Sequence, residues 1–391
     1  MNDLLTLEAA IEAVLARCRP LSGELVALDQ AAGRVLAGPA LAGVDLPPFA
    51  SSAMDGFALR SAETPGSLPV VARISAGSPA PRPLRRGEAM GIATGGVVPE
   101  GADAVVPLER VVHTDGRIDV SHSVGHSDNV RPRGGDAREG DVVLEAGSRL
   151  GAAQIGALAA AGLALVVCAQ RPRVSVLTTG SELRAPGETL GPGEIYEANG
   201  AMLAAALRSV GADVEHLAPV RDDEDAHRDA LARALDADVV VSSGGVSVGP
   251  HDLVRRVASE LGVEEVFWRV AVKPGKPISF GVRGATLVFG LPGNPVSTLV
   301  GFELFVRPAL RALEGERYPG PRFRQAPLAE PVRRDDTRDE LVRARWRDGA
   351  LEALRGQESH MIVRAAGADA LVLVPRGSGE LAGNVSYLPL G

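Results

Sequence analysis

DVVVSSGGVSVG, residues 238–249, opens with the uninterrupted apolar run Val239, Val240 and Val241. Such a run suits a parallel strand buried on both faces. It passes through Ser242 and Ser243 into Gly244 and Gly245, and the helical pattern DLVRRVASELG follows at 252–262. Strand, glycine turn and helix in this order make one unit of an open α/β sheet.

The same rhythm continues on both sides. Upstream, RVSVLTTG (173–180) is a strand entering a glycine turn and AMLAAALRSVGA (201–212) a helix. ADVEHLAPV (212–220) is a strand and DDEDAHRDALARALDA (222–237) a helix. Downstream, EEVFWRVAV (264–272) and ATLVFGLPGNP (285–295) are strands, and VSTLVGFELFVRPALRALEG (296–315) is one long helix. The alternation predicts a doubly wound, mainly parallel sheet over 171–318.

The flanks differ. Residues 6–19 predict an amphipathic helix, with Leu7, Ile11, Val14, Leu15 and Cys18 at helical spacing, Thr6 as cap and Pro20 beyond the end. Residues 42–134 form a β-rich module in which PVVARI, ADAVVPLERVV and GRIDVSH alternate with glycine and proline loops. A helix at 151–161 precedes the strand-like LALVVC. Residues 319–391 are strand-like again and predict a small β barrel or sandwich. RRDDTRDE at 333–340 reads as a solvated loop.

Bulk composition narrows the function classes. At 391 residues the chain holds about two to four domains. With 45% hydrophobic and 23% charged residues it has the mix of a soluble globular protein, and 3% aromatics leave the core to aliphatic packing. A net charge of −8 argues against a nucleic-acid groove. Local cations and backbone N–H groups can still outweigh that sign for a small anion. Cys18 and Cys168 lie in apolar runs outside any C-x-x-C motif, and read as buried hydrophobes. No basic n-region opens MNDLLTLEAA and no apolar stretch is long enough to span a bilayer, so the expectation is a cytoplasmic protein without membrane contact.

Three loops of the central module carry glycine where strands are expected to give way to helices: TTGSEL (178–183), SSGGVSVG (242–249) and GLPGNPVS (290–297). Ligands of open α/β sheets lie beyond the carboxyl ends of the strands. Glycine admits close backbone approach, and helix N-termini favour phosphate. None of the three matches a P-loop. VKPGKP (272–277) adds Lys273 and Lys276 on a proline-stiffened turn suited to phosphate or another oxyanion. Carboxylates beside such a site imply a divalent cation, so Glu182 and Asp252 are candidate Mg²⁺ ligands. Asp252 also fits the first turn of a helix, facing its dipole. In the β-rich module the notable stretches are SSAMDGFAL with Asp55, IATGGVVPEGADAVV with Thr94, and NVRPRGGDAREGDVV with Arg131, Arg133 and Asp136.

These motifs, in this order, resemble the molybdopterin molybdenumtransferases, the MoeA family, and the related E domain of gephyrin. The likeness covers nearly the whole chain and weakens after about residue 318. It implies four domains: a split first domain (1–41 and 135–170), a β-rich insertion (42–134), an α/β domain like that of molybdopterin adenylyltransferases (171–318), and a C-terminal β barrel (319–391). It also implies a homodimer whose site is shared across subunits, with molybdate and adenylylated molybdopterin as substrates and Mg²⁺ as cofactor. Molybdopterin adenylyltransferase and molybdoenzymes are the implied protein partners.

Carried over by position, the resemblance assigns catalytic roles to Asp55, Thr94, Glu182, Asp222 and Lys273. It assigns substrate contacts to Arg131, Asp136, Gly180, Ser181, Gly244, Gly245, Ser247, Arg269, Lys276, Pro292, Gly293, Pro295 and Ser359, and metal ligation to Glu182 and Asp252. Arg269 stands where several members have lysine, which keeps the charge but changes its geometry. Asp55 is expected either as an acid or base, or as a metal ligand. The implied reaction inserts molybdenum into adenylylated molybdopterin and releases AMP. Three readings compete: a molybdopterin adenylyltransferase, whose usual T-G-G-T-G this chain lacks; a scaffold role like that of gephyrin; and a nucleotide hydrolase, which would not need the insertion carrying Asp55.

Overall fold

The structure is a computed structural model that describes residues 4–221, 223–245 and 253–390. Its centre is a six-stranded sheet in the order Asp213–His216, Arg173–Thr178, Val239–Ser243, Thr286–Leu291, Ser279–Arg283, Glu264–Trp268. The first four strands are parallel, as their continuous apolar runs require. The last two are antiparallel. The strand Ser279–Arg283 is an addition to the sequence reading. It forms a hairpin with Thr286–Leu291 through a two-residue turn whose first residue, Gly284, has φ +60°, a conformation that favours glycine.

Helices cover both faces. Glu224–Ala234 and Leu253–Glu260 lie against Leu177, Val240 and Val288. On the other face, Asn199–Ser209 and the long helix from Pro295 to Leu313 enclose a core containing Val174, Val241, Phe280 and Phe289. The long helix passes through a fully buried π-helical segment, Phe302–Val306. Helix Leu7–Leu15, capped by the Thr6 hydroxyl accepting from the Ala9 N–H at 3.2 Å, packs Leu7, Ala10 and Val14 into this same core. The N-terminal segment is therefore tied to the α/β sheet.

The β-rich segment forms a second six-stranded sheet: Ala104–Pro107, Gly56–Leu59, Ala89–Ile92, Gly66–Ile74, Arg117–Val120, Val112–Thr114. The C-terminal segment forms a third, in which Asp339–Arg347, Ala370–Val374, Asn384–Pro389 and Arg324–Pro327 are joined at one edge by Val272–Lys273. That edge strand belongs, in sequence, to the α/β segment. RRDDTRDE is only partly a solvated loop. Asp335 caps a turn by accepting from the Thr337 hydroxyl at 2.7 Å, while Asp339 and Glu340 are in a strand, and Asp339 is buried.

Cys18 and Cys168 are free and buried, and burial raises the Cys18 thiol to about 12. Among the described residues no helix is long and apolar enough to cross a membrane.

Candidate functional site

The carboxyl ends of the three central parallel strands are joined by their own turns. The Thr179 N–H donates to the Ser243 carbonyl at 3.1 Å, and the Gly244 N–H to the Leu291 carbonyl at 3.1 Å. A Cβ on Gly293 would lie 3.8 Å from Gly244 Cα, so the second and third glycine turns touch. Gly244 has φ +95°, and a Cβ there would lie 2.7 Å from both the carbonyl and the hydroxyl oxygen of Thr179. Only glycine fits that approach without displacement.

TTGSEL departs from the strand-to-helix expectation. After Gly180, whose N–H donates to the Val220 carbonyl at 3.1 Å, the chain runs through Leu183–Arg184, paired in parallel with Ile195–Tyr196. Helix Asn199–Ser209 begins only after that excursion. Ser181 and Glu182 are thus presented by a tight turn, and both are exposed. GLPGNPVS does lead directly into a helix, with Pro295 at its first turn. One of its early donors is already engaged, since the Val296 N–H donates to the Ser359 carbonyl at 3.0 Å. The C-terminal segment so delivers Ser359 to this turn.

Several residues that the motif reading passed over hold these turns together. The Asn199 amide donates to Ser243 Oγ at 2.9 Å and to the Gly293 carbonyl at 2.7 Å. The hydroxyls of Ser243 and Thr298 both donate to the Pro292 carbonyl, at 3.1 and 2.6 Å. Thr178 and Thr179 are buried, and among the described residues their hydroxyls have no hydrogen-bond partner. An unpaired buried hydroxyl is costly unless water or ligand satisfies it. An Asn-Gly pair opening a helix and the polar tips of otherwise apolar strands were the available signals.

The KPGKP turn bulges between Glu264–Trp268 and Ser279–Arg283, closed by the Val270 N–H donating to the Lys276 carbonyl at 3.0 Å. Its two lysines and the preceding Arg269 face different surroundings. Lys273 Nζ lies 3.2 Å from Glu340 Oε1. Lys276 is exposed. Arg269, at φ +73°, lays its guanidinium 3.8 Å from the centroid of the Trp268 ring, a cation–π contact.

A second group forms within the insertion sheet. Asp55 accepts from the Thr94 N–H at 2.7 Å and from its hydroxyl at 3.0 Å. These bonds, the backbone one first, lower its pKa from the ordinary 3.8. Asp55 also borders a 180 Å³ cavity with Arg73 and Leu108. Arg131 lies opposite Ser51 in a short antiparallel ladder, which brings NVRPRGGD beside SSAMDG. Asp136 is exposed and is held through its N–H, which donates to the Leu46 carbonyl at 2.8 Å. Asp222, Ser247 and Asp252 lie outside the described residues. Among the described residues no cluster of three or more His, Cys, Asp or Glu is placed to hold a metal.

Sequence relatives agree with the division into an α/β segment and β-rich companions. The model of the MoeA N-terminal region (domain I and II) matches residues 5–162, that of a probable molybdopterin binding domain 175–312, and that of the MoeA C-terminal region (domain IV) 325–385. Molybdopterin molybdenumtransferase 2 of Mycobacterium tuberculosis is 40% identical over 326 residues, covering 79% of this chain and 78% of its own. The chain belongs to the MoeA family of molybdopterin molybdenumtransferases. Another family member, from Staphylococcus epidermidis, is 31% identical across 97% of this chain and 94% of its own. The crystal structure of a molybdopterin biosynthesis MoeA protein from Pyrococcus horikoshii superposes with a TM-score of 0.82 at 31% identity, covering 99% of both chains. The MoeA arrangement of an α/β unit with β-rich companions is the one described above.

Proposed function

We propose that the chain transfers molybdenum from molybdate to adenylylated molybdopterin, forming molybdenum cofactor and releasing AMP. Beyond family membership, the observation that carries this reading is the meeting of glycine turns at adjacent strand ends beside a two-lysine turn. The glycines admit close approach of a ligand to the backbone and the lysines supply cationic donors, which suits phosphate and oxyanions. The hydroxyls of Thr178 and Thr179, which have no partner among the described residues, add donors at the strand tips.

In this reading Gly180, Ser181, Gly244, Gly245, Ser247, Pro292, Gly293, Pro295 and Ser359 line the pterin-nucleotide site. Lys273, Lys276 and Arg269 attract molybdate or phosphate. Lys273 retains two donor hydrogens beyond the one facing Glu340. Asp55, kept ionised by Thr94, orients the reacting groups, with Arg131 and Asp136 supporting substrate nearby. Asp222 serves as a further catalytic carboxylate. Glu182 fits a Mg²⁺ ligand, because its carboxylate is exposed on a turn beside Gly180, and Mg²⁺ needs only one or two carboxylates plus ligand phosphates. Asp252 is the second candidate ligand. Held there, a divalent cation would supply charge neutralisation to the phosphates.

The site is read as shared between two copies of the chain, with Asp55 of one protomer facing the glycine turns of its partner. A face in need of cover supports a dimer. On the strand pair Gly23–Ala27 and Leu165–Ala169, Leu25 (70% exposed) lies opposite Val167 (44%), with Leu165 (54%) on the same side. Both substrates are water-soluble anions, which suits a reaction in the cytoplasm. Molybdopterin adenylyltransferase as supplier and molybdoenzymes as acceptors complete the assignment.

The test is incubation with adenylylated molybdopterin, molybdate and Mg²⁺, following AMP and cofactor. AMP release dependent on molybdate is expected. Consumption of ATP with free molybdopterin would instead identify an adenylyltransferase. Asp55→Asn should be inactive and Lys273→Ala should use molybdate about tenfold less well, while at limiting molybdate co-expressed mixed dimers of the two variants regain activity, because one of their two sites is intact. Absence of such complementation defeats the shared site.

A further inference from the structure

Lys273 is the one cation of the KPGKP turn that, among the described residues, has a carboxylate within ion-pair distance. The pairing is built into the backbone. Val272–Lys273 runs parallel to Asp339–Arg347 with Lys273 in register with Glu340. The Asp339 N–H donates to the Ala271 carbonyl at 3.0 Å, and the Asp339 carboxylate accepts from the Arg376 N–H at 2.9 Å. Glu340 is thereby fixed between Lys273 on the edge strand and Val374 on the next strand inward, with its side chain 13% exposed against 43% for Lys273. The more buried partner is the anchor and the more exposed one is the group that meets solvent.

We propose that Glu340 is a positioning residue for oxyanion binding at Lys273. It accepts one of the three ammonium donors and leaves the other two directed at an incoming anion. Its negative charge also stands beside the bound anion and weakens the hold on it, since like charges a few ångströms apart repel. The C-terminal sheet in this way sets both the place and the strength of anion capture in the α/β segment. The inference rests on the reading of Lys273 as an oxyanion ligand.

Glu340→Gln keeps the size and the accepting oxygen but removes the charge. The expected result is a KM for molybdate lowered about threefold to tenfold. The Kd for molybdate alone, measured by calorimetry, should fall in parallel. A loss of packing cannot produce tighter binding, so the direction separates positioning from a merely structural role. In a Lys273→Ala background the same substitution should change neither quantity, because Glu340 acts through the lysine. If Glu340→Gln leaves KM and Kd unchanged or raises them while Lys273→Ala raises both, the inference is overturned and the reading of Lys273 stands. If Lys273→Ala alters neither, that reading falls and the inference with it. Glu340→Asn, which also carries an uncharged accepting oxygen, makes the same prediction should the glutamine variant fold poorly.

Discussion

Val296 and Ser359 meet through a single backbone hydrogen bond of 3.0 Å, which joins the first turn of the long α/β helix to a loop of the C-terminal sheet. The loop is held from inside by Arg343, which is 1% exposed. Its guanidinium donates to the carbonyls of Gly356 (2.7 Å), Met361 (3.0 Å) and Glu358 (3.2 Å), and to Gln357 Oε1 (3.2 Å). Burial lowers the Arg343 pKa from its ordinary value, with Glu358 partly opposing. Backbone oxygens thus do most of the work of solvating a buried cation.

Arg343→Met should leave those carbonyls without donors and release the loop. A cost of roughly 2–4 kcal/mol is expected, for several unsatisfied buried acceptors partly rescued by water. Hydrogen exchange offers the specific check. The Val296 amide should lose protection, while amides of Val239–Ser243 keep theirs. Equal loss at both places would mean global destabilisation without a loop-specific role.

Asn199 is expected to matter for the same site from the opposite side. Asn199→Ala removes both donated bonds, to Ser243 and Gly293, at a cost of about 1–2 kcal/mol in stability. The KM for adenylylated molybdopterin should rise about tenfold as the second and third turns separate. Asn199→Asp should be worse than alanine, since a carboxylate donates nothing and repels phosphate. A KM unchanged in both variants would reduce Asn199 to a helix-opening residue.

The two halves of this site were unequally legible in the sequence. Turns announce themselves, because Gly244, Pro292 and Pro295 each state a local dihedral requirement that does not depend on distant residues. Partners do not. Ser243 and Gly293 lie 44 and 94 positions from Asn199, and a single asparagine carries no sign of either. The same limit explains RRDDTRDE. Its charges read as a solvated loop until the ladder with Val272–Lys273 turns Glu340 into a partner of Lys273. The excursion after TTGSEL was missed because a strand and a later helix were both correctly read, and the small pair between them is too short to show periodicity. Ser279–Arg283 was hidden for a related reason. It follows a proline-rich turn, and its hairpin signal rests on Gly284 alone.

Asp55 gives a prediction in pH. Thr94 depresses its pKa, so the carboxylate's stabilising contribution is present above the ordinary 3.8 and is lost as pH falls through the lower folded value. Asp55 is therefore ionised throughout the neutral range, and its titration should not shape an activity profile between about pH 5 and 9. Thr94→Val keeps the backbone bond and loses the hydroxyl one. Carboxyl carbon NMR should show the Asp55 titration moving up toward 3.8, and molybdenum insertion at pH 7 should fall about tenfold to a hundredfold through misorientation. An unmoved titration would show that the hydroxyl does not hold the carboxylate.

A buried ionic cluster ties the Gly33 and Gly147 loops to the end of the long helix, and it too should respond to pH. Arg149 donates to Glu314 at 2.5 Å and to the Gly33 carbonyl at 2.7 Å, and reaches Glu316 at 3.4 Å. Both carboxylates are buried, and Arg311 and Arg322 also pair with Glu316. Burial raises the Glu314 pKa above the ordinary 4.5, with Arg149 opposing the shift. Arg149→Met removes that opposition and leaves Glu314 without its cation, at a cost of about 3 kcal/mol near pH 8. A raised carboxyl pKa means that the folded state holds the proton more tightly than the unfolded chain. The penalty is therefore full above the folded pKa, shrinks as pH falls through it, and vanishes below 4.5. Denaturant unfolding of wild type and variant at pH 8 and pH 5 measures the difference. A gap that stays constant between the two pH values would mean that the loss lies in packing of the arginine stem, and that the charge on Glu314 has no part in it.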